Sequence, residues 1–400
     1  MKRIICVIAA ALMLLCTACS ASAAGTDTDA LPPGGQSLQQ LHLSDARQKL
    51  CGVWVPYFIC DRLFASDDAQ TCAGNVRSYL QELQVFGVNT VFLHVCAFGE
   101  SIYPSAYYPQ SPTVHGLNAL QIFREACEDA GMALHVWLNP LRLQTKAYME
   151  EQRGDAELVT WFTNSALRKT HLSEWDGRYY LNPAADSTRS FLAGVISELI
   201  ETYHPAGVHI DDYFYPTVEP AFDSADYSAS GSKDLAAWRR QNITALLKTM
   251  YQAVHTADKN AVFSISPQGN LLQNYDTLYA DVAAWCAAGD CCDLLIPQIY
   301  FGYRNELCPF AETVEEWMLL PRADSVQMAV GLAAYKVGEE DNFAGDGSRE
   351  WISEPGLLAR QTAEILGEPE FCGAVWYHSD ALLGLSAQER DALIRTVLEK

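Results

Sequence analysis

Two carboxylates stand side by side in the run His209-Ile210-Asp211-Asp212-Tyr213-Phe214-Tyr215-Pro216. Adjacent carboxylates repel, and the repulsion can raise one pKa until that group holds a proton near neutrality. A proton donor beside an ionised partner is the minimum equipment for cleaving a glycosidic bond. The plainer reading is a helix cap plus a solvated Asp, which the aromatic and Pro neighbours argue against. Strand alternation sends Asp211 and Asp212 to different sides, yet at a strand end both can reach one mouth.

Other polar and aromatic side chains fall at the ends of short apolar runs. Trp54 lies on the first such run, and His94, Glu100 and Tyr103 lie on or after the second. Trp137, Asn139 and Arg142 close the third, and Asn182 sits where a long connection returns. His209, Tyr213 and Tyr215 flank the Asp pair; Gln268 and Asn270, then Gln298 and Tyr300, follow the next two runs. Tyr335 follows the seventh, and the eighth ends in Trp376-Tyr377-His378-Ser379-Asp380. Aromatic faces pack on the C–H faces of sugar rings, while amides and carboxylates bind hydroxyls, so a convergent set of this kind expects a polysaccharide or oligosaccharide. Singly, each has a plainer reading: Trp54 and Trp137 as core, His94 and His209 as structural histidines.

The elements that must position these groups are legible from hydrophobic period. Apolar runs recur at Gly52–Phe58, Thr90–Val95, Ala133–Leu138, Val208–Ile210, Phe263–Ile265, Leu294–Ile299, Met328–Leu332 and Gly373–Trp376. Helix-period segments lie between them, at Thr71–Phe86, Leu117–Ala130, Ser187–Tyr203, Leu235–Ala257, Tyr275–Ala288 and Glu354–Leu366. Strands alternating with helices predict a parallel sheet, and eight such repeats close a (β/α)8 TIM barrel over residues 47–400. Gly87 and Gly131 each stand after a helix and before a strand, as C-caps. The connections Asn139–Asp186 and Tyr213–Lys233 are too long for simple turns and follow strands three and four, so both belong to the face where such barrels carry their sites.

Residues 1–19 read as a secretion leader: Lys2 and Arg3, then the short apolar run Ile4–Leu15. Leu15-Cys16-Thr17-Ala18-Cys19 resembles a lipobox, which expects a lipid on Cys19 and attachment to a membrane; cleavage after Ala21-Ser22-Ala23 is the alternative. Residues 20–46, with Pro32-Pro33-Gly34-Gly35, expect a flexible tether. The charge count, 27 Lys+Arg against 49 Asp+Glu for a net −22, excludes a general nucleic-acid binder. The 49% hydrophobic and 19% charged content excludes a disordered chain. Beyond the leader no Cys-x-x-Cys pair or His cluster has ligand spacing, so no metal is expected. Most of these cysteines read as small buried hydrophobes, with room for one or two disulfides in an oxidising compartment. No Gly-x-Gly-x-x-Gly, Walker loop or Gly-x-Ser-x-Gly elbow is present, so no nucleotide cofactor is expected.

The series Gly52-Val53-Trp54-Val55, Asn89-Thr90-Val91-Phe92, Trp137-Leu138-Asn139-Pro140, Tyr180-Leu181-Asn182-Pro183, Gly207 to Pro216, Ser266-Pro267 with Gly269-Asn270, and Pro297-Gln298-Ile299-Tyr300 resembles the motifs of glycosyl hydrolase-like family ten. The likeness runs in order over residues 48–330. It implies an exported (β/α)8 barrel, often a lipoprotein, acting on peptidoglycan glycan strands stripped of their peptides. Where that family has Arg-Pro-Phe-Gly-Asp after strand two, this chain has Cys96-Ala97-Phe98-Gly99-Glu100, and the lost Arg expects a changed contact to a carboxylate or ring hydroxyl.

The sequence therefore expects a glycosidase with Asp212 as general acid and Asp211 as its electrostatic partner, or the reverse. Glu100, Glu339, Glu340 and Asp380 are the carboxylates left to act as nucleophile. None is as clear as the pair, which suggests attack by the substrate's own 2-acetamido group, an exception to the two-carboxylate scheme. The rival expectation is a non-catalytic glycan-binding lipoprotein.

Overall fold

The computed structural model describes residues 49–399. Leader, tether and Cys19 lie outside the described residues. The strands are β1 (Leu50–Val55), β2 (Thr90–Ala97), β3 (Ala133–Leu138), β4 (Gly207–Ile210), β5 (Val262–Ile265), β6 (Leu294–Leu295), β7 in two pieces (Gln327–Met328 and Val330–Ala333) and β8 (Gly373–Tyr377). They pair in parallel along the path β7–β6–β5–β4–β3–β2–β1–β8–β7. The path ends on the strand it began with, because the first piece of β7 pairs with β6 and the second with β8. Ala329 between the pieces donates its N–H to Leu295, and Gly331 donates to Pro297, so the sheet closes into the expected barrel.

Around the sheet run α1 (Ala69–Gln84), α2 (Ala119–Ala130), α3 (Asp186–Tyr203), α4 (Leu235–Ala257), α5 (Val282–Ala288), α6 (Phe310–Met318), α7 (Leu357–Gly367) and α8 (Ala387–Leu398), one after each strand. Asp68 and Asp234 cap α1 and α4 by accepting N–H bonds from Thr71 and Ala237. Gly131 ends α2 in the left-handed region, φ 66°, where a side chain would be strained. The segment Tyr275–Ala288, expected as one helix, breaks into Leu271–Asp276 and α5, because Asp281 caps a new start by accepting from Ala284.

Strand residues alternate between two packed layers, which is why the runs are apolar throughout. Val53, Val55, Val91 and Val136 meet the helices, while Leu50, Trp54, Phe92, Trp137, Val262, Leu294, Ile296 and Val375 fill the barrel. Gly331 admits one of the largest: a Cβ there would lie 2.9 Å from the Trp54 indole and 3.1 Å from the Pro297 carbonyl oxygen. The cysteines among the described residues are all free thiols, mostly buried, and no disulfide joins them.

The first long connection carries structure of its own. It holds the strands Arg142–Thr145, Leu172–Trp175 and Arg178–Leu181 in an antiparallel sheet with the third in the centre, plus three short helices. Asp176 and Gly177, both at positive φ, make the tight hairpin. The second connection is gathered around Arg239 of α4, which is fully buried. Its guanidinium takes both oxygens of Asp223 at 2.5 and 2.9 Å and donates to the carbonyls of Thr217, Val218 and Glu219. Among the described residues no helix is long and apolar enough to cross a membrane.

Candidate active site

A cleft of about 270 Å³ opens at the C-terminal ends of the strands. Its floor is Trp54, Trp137 and His94; its walls are Pro56, Tyr57, Phe98, Tyr213, Ser266, Gln298, Tyr300, Tyr335 and Tyr377; Asp211 and Asp212 face into it. Both aspartates follow directly on β4, so the strand end delivers the pair despite alternation.

Asp211 is 3% exposed. Its Oδ2 accepts from Asn139 Nδ2 at 2.6 Å and Trp137 Nε1 at 3.1 Å, and its Oδ1 accepts from the Tyr213 backbone N–H at 3.3 Å. Burial, then the neighbouring Asp212, push its carboxyl well above the usual range, against those donors. Asp212 accepts from Gln268 Nε2 at 2.9 Å and Gln298 Nε2 at 3.3 Å. Burial raises it too, opposed by the two amides and by the Arg142 charge. Two buried carboxyls with one shared repulsion cannot both ionise cheaply, so the pair is built to retain a proton.

The supporting groups are neutral and directional. His94 lies stacked on Trp137, ring centres 3.7 Å apart, and meets Asn139 Oδ1 through Nε2 at 3.1 Å. Since the Asn139 amide nitrogen serves Asp211, its oxygen must accept, so His94 carries its proton on Nε2. Burial holds His94 down to about 3, hence uncharged. Deeper in the barrel, fully buried His209 accepts from Trp54 Nε1 at 3.0 Å and meets Ser264 Oγ at 2.8 Å, which pins the Trp54 indole. Tyr300, Tyr335 and Tyr377 form one wall, with ring centres 5.8 to 5.9 Å apart. Lys336 ties that wall down by donating to the Tyr300 carbonyl at 2.8 Å and to Asp341 at 2.6 Å.

The expected site residues divide into three groups. Trp54, His94, Trp137, Asp211, Asp212, Tyr213, Gln298, Tyr300 and Tyr335 line the cleft. Asn139, Gln268 and His209 act behind it, and Arg142 packs on the lining residues Phe98 and Tyr213. The rest the structure places elsewhere. Tyr103 is fully buried against Cys96, and Glu100 accepts from Tyr148 on the inserted segment. Asn182 braces its own turn and Asp226, Tyr215 packs on Arg239, and Asn270 caps the helix Leu271–Asp276. Trp376 points outward to Thr362, since inward parity on β8 falls to Val375 and Tyr377. Pro56, Tyr57, Phe98 and Ser266 also line the cleft and were not among the expected residues; their signal is their position directly after β1, β2 and β5. Cys96 also packs outward, so the change from Arg there does not put a thiol into the cleft.

Of the other carboxylates expected as nucleophile, none lines the cleft: Asp380 pairs with Arg62 and Tyr79, and Glu339 and Glu340 are exposed on the loop after β7. Among the described residues no cluster of His, Cys, Asp or Glu could hold a metal.

The glycosyl hydrolase-like 10 family model matches residues 49–348. The chain belongs to that family. It is 26% identical over 341 residues to glycosyl hydrolase DigH of Escherichia coli (strain K12), covering 76% of this chain and 74% of that protein. It is 25% identical over 320 residues to glycosyl hydrolase YngK of Bacillus subtilis (strain 168), covering 73% of this chain and 61% of YngK, so the match spans less than two thirds of that relative. Among solved structures, an Anoxybacillus alpha-amylase superposes with TM-score 0.52 at 9% identity, over 91% of this chain and 78% of that one. An alpha-L-fucosidase from Paenibacillus thiaminolyticus superposes with TM-score 0.50 at 11% identity, over 88% and 49%. At such identity these two likenesses speak for the barrel alone.

Proposed function

We propose that this family member is an exported glycoside hydrolase that cleaves O-glycosidic bonds in cell-wall glycan strands, with the Asp211–Asp212 pair as its acid–base machinery. The observation that carries the reading is that these are the two carboxylates lining a cleft otherwise walled by Trp, Tyr, Phe and amides. Asp212, which has fewer donors and a long contact on Oδ1, is the general acid. Asp211, which burial raises and three donors draw back toward ionisation, is its electrostatic partner. With no further carboxylate in the lining, the nucleophile is the substrate's own 2-acetamido oxygen: Asp211 orients the amide N–H while Asp212 protonates the leaving oxygen. Amino-sugar polymers of the cell wall supply that acetamido group. Secretion through residues 1–19 and a lipid on Cys19 put the barrel at the envelope, and Cys19→Ala should release it from the membrane fraction.

The test is incubation of purified protein with peptide-free glycan strands and with chemically de-N-acetylated strands, read by mass spectrometry. Cleavage restricted to acetylated strands, and lost in Asp212→Asn, supports the reading. Equal cleavage of both, or trapping of a covalent glycosyl-enzyme, points to a carboxylate nucleophile instead. Binding without cleavage of any glycan establishes a recognition module.

A further inference from the structure

Two arginines on the inserted antiparallel sheet pack on rings that form one wall of the cleft. The Arg142 guanidinium carbon lies 4.8 Å from the Phe98 ring centre and 4.6 Å from that of Tyr213, and the Arg178 carbon lies 5.7 Å from the same Phe98 ring. Phe98 and Tyr213 both line the cleft. The two cations come from neighbouring strands, with Arg142 opposite Tyr180 and Arg178 opposite Thr145. Arg178 is anchored by donating to the Leu143 carbonyl at 2.6 Å.

Neither arginine forms an ion pair among the described residues, although the chain carries 49 acidic side chains against 27 basic ones. Two half-buried cations near one ring, without a carboxylate between them, repel each other; burial and Arg142 both pull the Arg178 pKa down. An anion placed there would relieve that repulsion and accept N–H bonds from a planar fork suited to carboxylates. The rest of the cleft is hostile to negative charge, because Asp211 and Asp212 face into it. An acidic ligand is therefore acceptable on the Phe98–Tyr213 side and disfavoured elsewhere.

We propose that Arg142 and Arg178 form a subsite for a carboxylate carried by a sugar next to the bond being cleaved, so that the substrate is an acidic glycan. The inference rests on the glycosidase reading for its orientation, and its test reads binding rather than turnover. Calorimetric titration of the Asp212→Asn protein would use three probes: a peptide-free oligosaccharide containing muramic acid, the same compound with its carboxyls reduced to alcohols, and an oligouronide. The expected result is binding of an acidic probe at least about tenfold tighter than of the reduced one, the scale of a charge-assisted hydrogen bond. That preference should vanish when Arg142→Gln and Arg178→Gln are added. The probe that binds tells whether an ether-linked or a ring carboxylate is read. Arg142→Lys keeps the charge but loses the fork, and guards against misfolding of the double variant; it should keep part of the preference.

Equal affinity for acidic and reduced probes, absence of binding by either acidic probe, or a preference that survives both substitutions would each overturn the subsite. Cleavage of acidic and reduced strands at equal rates by the unsubstituted protein also rejects it while leaving the glycosidase reading intact. Carboxylate-dependent binding without cleavage of any strand does the opposite.

Discussion

Asn139 donates its amide N–H to Asp211 at 2.6 Å while its oxygen meets His94 Nε2 at 3.1 Å, so a neutral histidine fixes which end of the amide the aspartate sees. The acid strength of the pair thus depends on a residue that need never touch substrate. Asn139→Asp replaces the donor by a third buried acid and should move the acidic limb of the pH–rate profile upward, with turnover reduced. Asn139→Ala should lower kcat with less effect on KM, because it removes support for the ionised state and not a binding contact. An unshifted profile in Asn139→Asp would mean that the amide does not govern Asp211.

Asp211→Asn and Asp212→Asn should each reduce turnover by at least about 10²-fold, the usual scale for a general acid or base. Stability should move the other way in Asp211→Asn. A carboxyl whose folded pKa is raised binds its proton more tightly when folded, so its contribution is fully present below the ordinary value of 3.8. The contribution fades as pH climbs through the raised folded value, and above it the native state bears a buried charge. The difference in melting temperature, variant minus parent, should therefore grow with pH across that window. A difference that is flat with pH would show Asp211 to be unstrained by burial.

Much of this arrangement was readable from residues, and its failures have physical causes. The barrel followed from period, because strands covered on both faces are apolar throughout and helices are not. The same property hides direction: in Trp376-Tyr377 both residues are aromatic, and only pairing parity tells that Tyr377 faces the cleft and Trp376 the helices. Run Leu294–Ile299 reads as a long strand, yet the regular strand is only Leu294–Leu295 because Pro297 has no N–H to give, and pairing continues past it as single bridges from Gln298 to Gln268 and Gly331. The folded content of the first long connection was signalled by Asp176-Gly177 between Trp175 and Arg178, a hairpin dipeptide. Asn182 and Tyr215 look like site residues in the motif series because they brace the loops that carry the site.

Arg239 should be the most sensitive position away from the cleft. Its guanidinium is fully buried with Asp223 and also takes three carbonyls of the loop after β4. Removing one partner of a buried pair leaves an uncompensated charge and typically costs about 3–5 kcal/mol. Arg239→Ala should therefore lower stability on that scale in urea unfolding and loosen residues 213–223 in hydrogen exchange. Arg239→Lys should recover little, since an ammonium cannot reproduce the bidentate fork. A loss below about 1 kcal/mol in Arg239→Ala would show that water replaces the clamp.

Gly331 links the barrel core to the site by its lack of a side chain. A Cβ there would stand 2.9 Å from the Trp54 indole, 3.1 Å from the Pro297 carbonyl oxygen and 3.3 Å from a second indole carbon. The carbonyl belongs to the strand ladder, where it accepts from Gly331 itself, so it cannot yield without breaking closure between β6 and β7. The indole must move instead, but its N–H is bound to His209, which is buried and tied to Ser264. Gly331→Ala should thus destabilise the fold by about 1–3 kcal/mol, the usual cost of overpacking, and shift Trp54 within the cleft it lines. Ligand-induced quenching of tryptophan fluorescence reads the second effect, and thermal unfolding the first. Combining Gly331→Ala with Trp54→Phe, which removes the clashing ring atoms, should restore much of the lost stability but not ligand binding. If the double variant is no more stable than Gly331→Ala alone, the clash lies with the Pro297 carbonyl, and Trp54 is not what the glycine makes room for.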